Sequence, residues 1–572
     1  MRIAVLDKDR CKPKDCDFLC GRMCPINRAE KECIVESSED RKPIISEILC
    51  TGCGICVHKC PFDAIMIINL PEEVGEPVHQ YGVNGFRLYN LPTPKEGVVG
   101  LVGSNGIGKT TALRILAGEI QPNLGEKEAG WERIVDRFRG NEIQNYLEKL
   151  AKGKIKAVYK LQHVDTIPRH VKGRVDNLLQ KADERNSYEE VVEALDLTNS
   201  LEKKTPDLSG GELQRVAVAA ALLKDADIYL FDEPSSYLDV RERLNVAKAI
   251  RGLAGKHVFV VEHDLIVLDY LSDYVHVVFG ARGAYGVISN SKGVRVGINE
   301  YLSGFLRSEN MRFRDEIKYD IKAPKDTSDL DPLIAYPRLE KHYENFDLTV
   351  EEGTLYKPET VGILGPNATG KTTFVRMLAG EEKPDNTKLD LKISLSYKPQ
   401  YIKVSTKLVK NLAIKEELVE QMRIRHLLER GLNELSGGEL QKVTISECLS
   451  RDAQVYLLDE PSAYLDVEER LAFAKYIKRF AAEKDVSILV VDHDILLVDY
   501  LSDEILVFGG EGGKHGHAEK PTDLRAAMNS FLAKMNVTFR RDPDSKRPRA
   551  NKDGSVKDRE QKTSGEYYYT RA

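Results

Sequence analysis

No apolar run in the 572 residues approaches the roughly 18 to 20 needed to cross a bilayer. The charged-then-apolar pattern of a secretory leader is missing as well, so neither a complete transporter nor a secreted protein is expected. Cysteine is nearly absent beyond residue 60: nine of the ten lie in the first seventy residues, and the tenth, Cys448, falls in an apolar helical stretch that reads as core. A strong charge imbalance is lacking too. With 84 Lys and Arg against 90 Asp and Glu, a net charge of −6 and a pI near 6.1, the chain is not a uniformly basic nucleic-acid binder. Its 42% apolar and 30% charged residues are ordinary for a globular protein, and 64.3 kDa exceeds what one core supports, so several domains are expected.

What is present is a duplication. Leu208 to Asp239 reads LSGGELQRVAVAAALLKDADIYLFDEPSSYLD, and Leu435 to Asp466 reads LSGGELQKVTISECLSRDAQVYLLDEPSAYLD. In each copy a short apolar run, Ile228 to Phe231 or Val455 to Leu458, leads into an acid pair, Asp232–Glu233 or Asp459–Glu460. This is the pattern of a buried parallel strand delivering two carboxylates at its carboxyl end. Asp232 and Asp459 suit Mg²⁺, whereas Glu233 and Glu460 suit polarising the water that attacks a γ-phosphate.

Upstream of each copy stands a loop of the form G-x-x-x-x-G-K-[ST], preceded by an apolar strand and followed by an amphipathic segment. In VGLVGSNGIGKTT, Gly103, Asn105, Gly106 and Gly108 lead to Lys109, Thr110 and Thr111; in VGILGPNATGKTT, Gly365, Asn367 and Gly370 lead to Lys371, Thr372 and Thr373. The glycines let backbone N–H groups close on phosphate oxygens at a helix N-terminus, the lysine reaches the β- and γ-phosphates, and Thr110 or Thr372 reaches Mg²⁺.

The LSGGE motif is foreign to ordinary phosphate-loop ATPases. With it, residues 76 to about 520 resemble the ATP-binding cassette (ABC) superfamily. The resemblance implies that Ser209 and Gly211 of one cassette, and Ser436 and Gly438 of the other, cap the γ-phosphate held by the opposite cassette. It places the Mg²⁺- and water-sensing role on Gln162 and Gln400 and the switch role on His263 and His493. It also puts an aromatic ring against adenine, with Tyr81 and Phe86 as candidates 28 and 23 residues before Lys109, and with Phe346, less strongly supported, 25 before Lys371. Core packing is the plain alternative for these rings.

The cysteines read C-x₄-C-x₃-C-x₃-C-P over Cys11, Cys16, Cys20 and Cys24, then C-x₂-C-x₂-C-x₃-C-P over Cys50, Cys53, Cys56 and Cys60. The second run is that of bacterial two-cluster ferredoxins, in which the fourth cysteine ligates the other [4Fe–4S] cluster. Crossed ligation implies Cys24, Cys50, Cys53 and Cys56 on one cluster, with Cys11, Cys16, Cys20 and Cys60 on the other. The first run departs from ferredoxin spacing; zinc is the alternative metal, and a disulfide framework has nothing to support it. Cys33 is left over as a spare thiol.

From Lys109 to Gln162 is 53 residues and from Lys371 to Gln400 only 29, so the first cassette carries an insertion, while the signature serine precedes the magnesium aspartate by 23 residues in both copies. The extra residues, about 133–158, read as a helix, an Arg-Gly turn and a second helix. Glu132 to Lys160 holds eight Lys and Arg against four acids, and Phe539 to Ala572 ten against six. Such surfaces suit RNA phosphates, or are simply solvated. FLRSENMRFR after the first cassette and FLAKMNVTFRR after the second form a further matched pair, read as a symmetric hinge.

End to end the chain is similar to the subfamily-E ABC ATPases, the RNase L inhibitor-like ribosome-recycling factors. The resemblance implies an α/β fold with two ABC-type nucleotide-binding domains head to tail, preceded by a ferredoxin-like α+β domain with two [4Fe–4S] clusters. The expected boundaries are 1–75 for the iron–sulfur domain, 76–292 and 333–520 for the cassettes, 293–332 for the linker and 521–572 for the C-terminal hinge and basic tail. The implied activity is ATP hydrolysis with Mg²⁺ at two composite sites, driving ribosome splitting in the cytoplasm. Implied partners are the small ribosomal subunit and its rRNA, a class-1 release factor or a Pelota-type factor, and initiation factors as further candidates. The protein is expected to be a monomer with an intramolecular cassette dimer and no membrane. The alternative is an ATPase that moves electrons through its clusters. A chromosome-maintenance ATPase needs long coiled coils between phosphate loop and signature, for which the 100 and 65 intervening residues show no sustained heptads.

Overall fold

A computed structural model describes residues 2–70, 75–253, 255–317, 319, 331–389, 391–402 and 404–568. Residues 318 and 320–330 of the charged linker expected over 293–332 therefore lie outside the described residues. The duplication in sequence is a duplication in topology. In the first cassette the strands run Ala157–Lys160, Ile228–Asp232, His257–Val261, Gly97–Val102 and Tyr274–Ala281 as parallel neighbours, followed by Tyr285–Ile288, Arg87–Tyr89 and His79–Gln80. The second repeats the order with Leu395–Lys398, Val455–Asp459, Ser487–Val491, Glu359–Leu364 and Glu504–Glu511, then His515–Ala518, Asp347–Val350 and Leu339–His342. The parallel strands are apolar on both faces because helices cover both, which is why they read as continuous Val, Ile and Leu runs rather than alternating ones.

Aligning these strands brings the phosphate loop, the acid pair and the His-bearing turn to one edge, at the strand carboxyl ends. The helices after the loops, Lys109–Leu116 and Lys371–Leu378, begin at Gly108 and Gly370 with φ of +92° and +93°. A Cβ at Gly108 would lie 2.7 Å from the Phe86 ring, so both conformation and space demand glycine there. In the second loop Ala368 takes the left-handed φ of +56° that Gly106 takes in the first.

The apolar core does not stop at the cassette boundary. Helices Leu265–Leu271 and Ile495–Leu501, each following a His-bearing turn, share one buried cluster with Phe531, Phe539 and Tyr568 of the C-terminal segment. That segment forms a hairpin, Phe539–Arg541 with Pro548–Ala550, whose arginines grip both helices. Arg541 makes a bidentate pair with Asp499 at 2.7 Å to both oxygens. Arg549 does the same with Asp269 at 2.6 and 2.9 Å, and Arg547 adds a contact to Asp269 at 2.8 Å. Asp269 and Asp499 occupy the same position of LIVLDYL and ILLVDYL. The paired basic segments thus cross the cassette junction, but the second carries the clamp.

The helical insertion forms as Trp131–Arg137 and Gln144–Ala151. It does not simply project. Ile134, Phe138, Ile143, Tyr146 and Leu147 are buried with Leu113 and Leu116 of the phosphate-loop helix, while Arg139, Lys149, Lys152 and Lys154 stay exposed on the outer side.

The N-terminal unit pairs Arg2–Leu6 with Ile65–Asn69 and Ile34–Glu36 with Pro43–Ile45, around short helices. Buried Asn84, on the first cassette's edge hairpin, fastens it there. Asn84 donates to Ala4 and Ile45 carbonyls at 3.1 and 3.0 Å, accepts from the Ile45 amide at 2.8 Å, and its own carbonyl accepts from Leu6 at 2.8 Å. Arg87 adds an ion pair to Glu47 at 2.8 Å. Toward the other cassette, Arg10 lies 3.6 Å from Glu439. No described helix is long and apolar enough to cross a membrane.

Candidate functional site: two composite nucleotide sites and a paired-cysteine domain

Between the cassettes lies a cavity of about 510 Å³. One wall is Asn105, Gly106, Gly108, Lys109, Thr110 and Thr111 with Gln162, Asp232 and Glu233; the facing wall is Ser436, Gly437, Gly438 and Tyr464 of the second cassette. The pairing of the first phosphate loop with the second signature is therefore present in the fold. Tyr81 and Phe86 close the outer end, and the Tyr81 hydroxyl sits 3.3 Å from Thr111 Oγ1.

Lys109 is buried and donates to the carbonyls of Gly103 and Ser104 at 2.7 and 2.6 Å; Lys371 does likewise to Gly365 and Pro366 at 2.9 and 2.6 Å. Burial lowers both ammonium groups, Lys371 to about 8. Thr110 donates to Asp232 Oδ2 at 2.7 Å. Asp232 Oδ1 and both carboxylate oxygens of Asp459 are buried without a hydrogen-bond partner among the described residues, and burial pushes Asp459 up to about 6, with Thr372 nearby opposing. Orphaned buried carboxylate oxygens beside a threonine fit a divalent cation.

Glu233 and Glu460 adopt left-handed φ of +47° and +45°, which costs a non-glycine residue strain and turns each side chain out of its strand end. Gln162 and Gln400 donate to their Oε1 atoms at 2.6 and 2.7 Å. His263 and His493 approach the same oxygens through Nε2 at 3.3 and 3.5 Å, while their Nδ1 atoms make no hydrogen bond among the described residues. Burial alone would raise both glutamates, but the adjacent histidine and the phosphate-loop lysine hold each at about 2, ionised.

The signature helices Gly210–Leu223 and Gly437–Ser450 start at Ser209 and Ser436, each in a capping box with Glu212 or Glu439. Two residues that carry no expectation in the sequence cross the interface. Asp466 Oδ2 accepts from the Asn105 amide at 3.0 Å, and Asp239 Oδ2 accepts from the Asn367 amide at 2.9 Å, with Glu242 taking the Asn367 side chain at 3.2 Å. The second site is thus closed by the same device as the first, and Gly211 lies beside Tyr237 on its signature side. Tyr237 and Tyr464 meet edge to face, ring centroids 6.3 Å apart. Only the recurrence of Tyr-Leu-Asp after each acid pair signals these residues. In the second cassette the counterpart of Tyr81 is Tyr343: each amide bonds a Phe carbonyl, Phe86 at 3.0 Å and Phe346 at 2.8 Å, and each ring is partly exposed. Phe346 instead packs against Gly370, as Phe86 packs against Gly108.

In the N-terminal unit the cysteines gather as two crossed quartets. Cys11, Cys16, Cys20 and Cys60 line one small apolar-walled pocket. The Cys56 thiol is pushed up to about 11 by burial and by neighbouring Cys50, Cys53 and Cys24, which form the other. Four thiols gathered in each group fit a [4Fe–4S] cluster. Cys33 is buried beside Cys24 and Cys50 rather than standing apart.

The sequence matches the model of the ABC transporter family over residues 87–236 and 345–463, a possible Fer4-like domain in RNase L inhibitor over 1–32, and a 4Fe-4S binding domain over 43–66. ABC transporter E family member 1 of Arabidopsis thaliana is 44% identical, with 99% of this chain and 98% of the relative covered. Among solved structures, ABCE1 in the ribosome-bound assembly of archaeal Pelota and ABCE1 is 54% identical with a TM-score of 0.93, covering 100% of this chain and 99% of that one. An archaeal ribosome recycling factor, aABCE1, in complex with the ribosomal stalk protein aP1 is 55% identical with a TM-score of 0.83, over 86% of this chain and 99% of that one. With two nucleotide sites built across one intramolecular interface and two crossed cysteine quartets docked beside them, the chain belongs to subfamily E of the ATP-binding cassette proteins, the RNase L inhibitor-like ATPases.

Proposed function

We propose that this protein is an ATPase that recycles ribosomes, splitting them into subunits as its two cassettes close on ATP. The carrying observation is mechanical. The cysteine-rich unit is fastened to the first cassette through Asn84 and Arg87, and it touches the second at Glu439, whose amide donates to the signature serine of the first site. A change in how the cassettes meet is therefore felt by that unit. ATP drives such closure only by binding the closed form more tightly, and contacts from both cassettes in each site supply that difference.

In each site the phosphate-loop amides and Lys109 or Lys371 hold the phosphates, and Ser436 with Gly438, or Ser209 with Gly211, caps the γ-phosphate from across the interface. Glu233 and Glu460, ionised and oriented by Gln162 and Gln400, accept a proton from the attacking water, with His263 and His493 on the γ-phosphate. Thr110, Gln162 and Asp232, or Thr372, Gln400 and Asp459, would hold Mg²⁺, which would supply positive charge against the phosphates. Cys24, Cys50, Cys53 and Cys56 would hold one [4Fe–4S] cluster and Cys11, Cys16, Cys20 and Cys60 the other, cross-linking a unit too small to have much core of its own. Tyr81 and Tyr343 offer rings to adenine.

The domain boundaries follow the same reading: 1–75, 76–292, 333–520 and 521–572, with 293–332 as linker. The ribosome and a Pelota-type factor are the partners best supported, because ABCE1 is solved with both. The exposed lysines of the insertion fit rRNA phosphates of the small subunit, and a class-1 release factor and initiation factors extend the set. The cytoplasm follows from that work. The redox-coupled alternative is not favoured, since the relatives with this architecture are translation factors. Sucrose-gradient sedimentation of ribosomes with this protein, Pelota-type factor and ATP tests the proposal. Free subunits are expected with the intact protein and none with Glu460→Gln or Cys50→Ser; intact ribosomes in every lane, with ATPase activity and iron retained, would overturn it.

A further inference from the structure

Each cassette buries a lysine that the mechanism above does not use. Lys160 ends the strand Ala157–Lys160 and Lys398 ends Leu395–Lys398, each two residues before the glutamine that orients the catalytic carboxylate. They are 4% and 1% exposed. Lys160 Nζ donates to the main-chain carbonyls of Asp232 and Glu233 at 3.0 and 3.3 Å; Lys398 Nζ donates to those of Asp459 and Glu460 at 2.7 and 3.2 Å. The same two bonds recur in copies whose surroundings differ.

These carbonyls have a reason to need a donor. The left-handed turn at Glu233 and Glu460 takes the chain out of the parallel ladder just after the acid pair. The glutamate amides are satisfied by Val261 and Val491 at 3.0 and 2.8 Å, leaving the carbonyl side to other donors, of which the lysine is the one common to both copies. An apolar side chain would fill the space without the desolvation cost of a buried ammonium. Burial lowers both groups to about 8, against the pull of the neighbouring acids, Asp232, Glu262 and Glu233 or Asp459, Glu460 and Asp492.

We propose that Lys160 and Lys398 are positioning residues for ATP hydrolysis. Each pins the strained main chain of the acid pair, while the glutamine two residues on pins the carboxylate, so that one strand end fixes the glutamate at two points. The inference rests on Glu233 and Glu460 as the water-polarising groups. The copies differ in one respect: Gln214 Nε2 also holds the Glu233 carbonyl at 2.7 Å, whereas Gln441 makes no such bond to Glu460. The second site depends more heavily on its lysine.

The test is single-turnover hydrolysis of ATP by the full-length, cluster-loaded protein, one site at a time, with the opposite site silenced by its own Glu→Gln substitution. Lys160→Met and Lys398→Met keep the stem and delete the donor. The expected result is a fall in the hydrolysis rate of roughly 10- to 100-fold, as for a reacting group displaced by about an ångström. The loss is larger at Lys398, affinity for a fluorescent ATP analogue stays within about twofold, and part of the rate returns in Lys398→Arg. Combined with Glu460→Gln in the same site, Lys398→Met adds no further loss, because both act through one carboxylate. Lys398→Leu carries the same expectation should the Met variant not fold. Wild-type rates in the lysine variants, or losses that multiply with Glu460→Gln, would overturn the clamp. Undiminished hydrolysis in Glu233→Gln and Glu460→Gln themselves would instead remove the glutamate assignment beneath it.

Discussion

Asp466 offers a direct measure of how much one side chain contributes to closing a site. Its Oδ1 caps helix Val467–Lys484 through the Glu469 amide at 3.0 Å, and its Oδ2 accepts from the Asn105 amide of the opposite cassette at 3.0 Å. In Asp466→Ala the cap is lost in open and closed forms alike, about 1 kcal/mol that lowers overall stability and cancels from the closure equilibrium. The interface bond exists only when the cassettes meet. A hydrogen bond to a buried charged acceptor contributes about 1.5 to 3 kcal/mol, so closure at the first site should weaken roughly 10- to 100-fold. Two dyes, one per cassette, report the closed fraction against ATP concentration. Retention of labelled ATP through rapid gel filtration, in a Glu233→Gln background that slows hydrolysis, reports occlusion. Both should shift by that factor while the isolated phosphate loop keeps its affinity. Occlusion as long-lived in Asp466→Ala as in its parent would show that the aspartate is only a helix cap.

Removing Arg541 strands Asp499 in a site where both side chains are 4% exposed, and breaking such a pair costs about 3 to 5 kcal/mol. Arg541→Met should therefore abolish hydrogen-exchange protection of the Asn551 amide, and unchanged protection would refute the clamp. His276 donates through Nδ1 to Ser289 and accepts at Nε2 from the Thr93 amide, 2.7 and 3.2 Å, a tautomer that protonation destroys. Burial depresses it to about 4, so its contribution is complete above pH 6.5 and is lost as pH falls from there toward 4, up to about 3 kcal/mol. Exchange of the Thr93 and Val277 amides should be faster at pH 5 than at pH 7 after correction for intrinsic rates, and much less pH-dependent in His276→Phe. Cys33→Ser should keep the full iron content and cluster absorbance that Cys24→Ser loses; iron loss in Cys33→Ser would make Cys33 a ligand.

The groups that act on their own neighbours were legible in the sequence. Phosphate loops, acid pairs, glutamines and histidines sit at strand ends because short apolar runs and fixed spacing force them there, and the cysteine runs declare crossed quartets by their spacing. What escaped is whatever depends on how separate units face each other. Asp239 and Asp466 cap their own helices, and their second bond exists only when the opposite loop is in place. Tyr343 does not stand out in the sequence because the aromatic position is set by a hairpin whose length differs between copies, so spacing alone points to Phe346. Nothing local in the sequence says that Lys160 or Lys398 will turn inward to two carbonyls. The insertion was recognised as helical, yet its apolar face seats on the phosphate-loop helix, a choice made by the cassette surface and not by the insertion.

The arginine hairpin gives the duplication an unequal inheritance. Asp269 belongs to the first cassette, but its cations come from Arg547 and Arg549, the latter 280 residues downstream. A gene fragment encoding the first cassette alone would leave buried Asp269 without its counter-ions, and one encoding the second alone would leave Arg547 and Arg549 without Asp269. The two halves resemble each other closely enough to be copies, yet neither could now be exchanged for the other or released from the chain. Duplication supplied two engines, and one short hairpin has made them a single indivisible part.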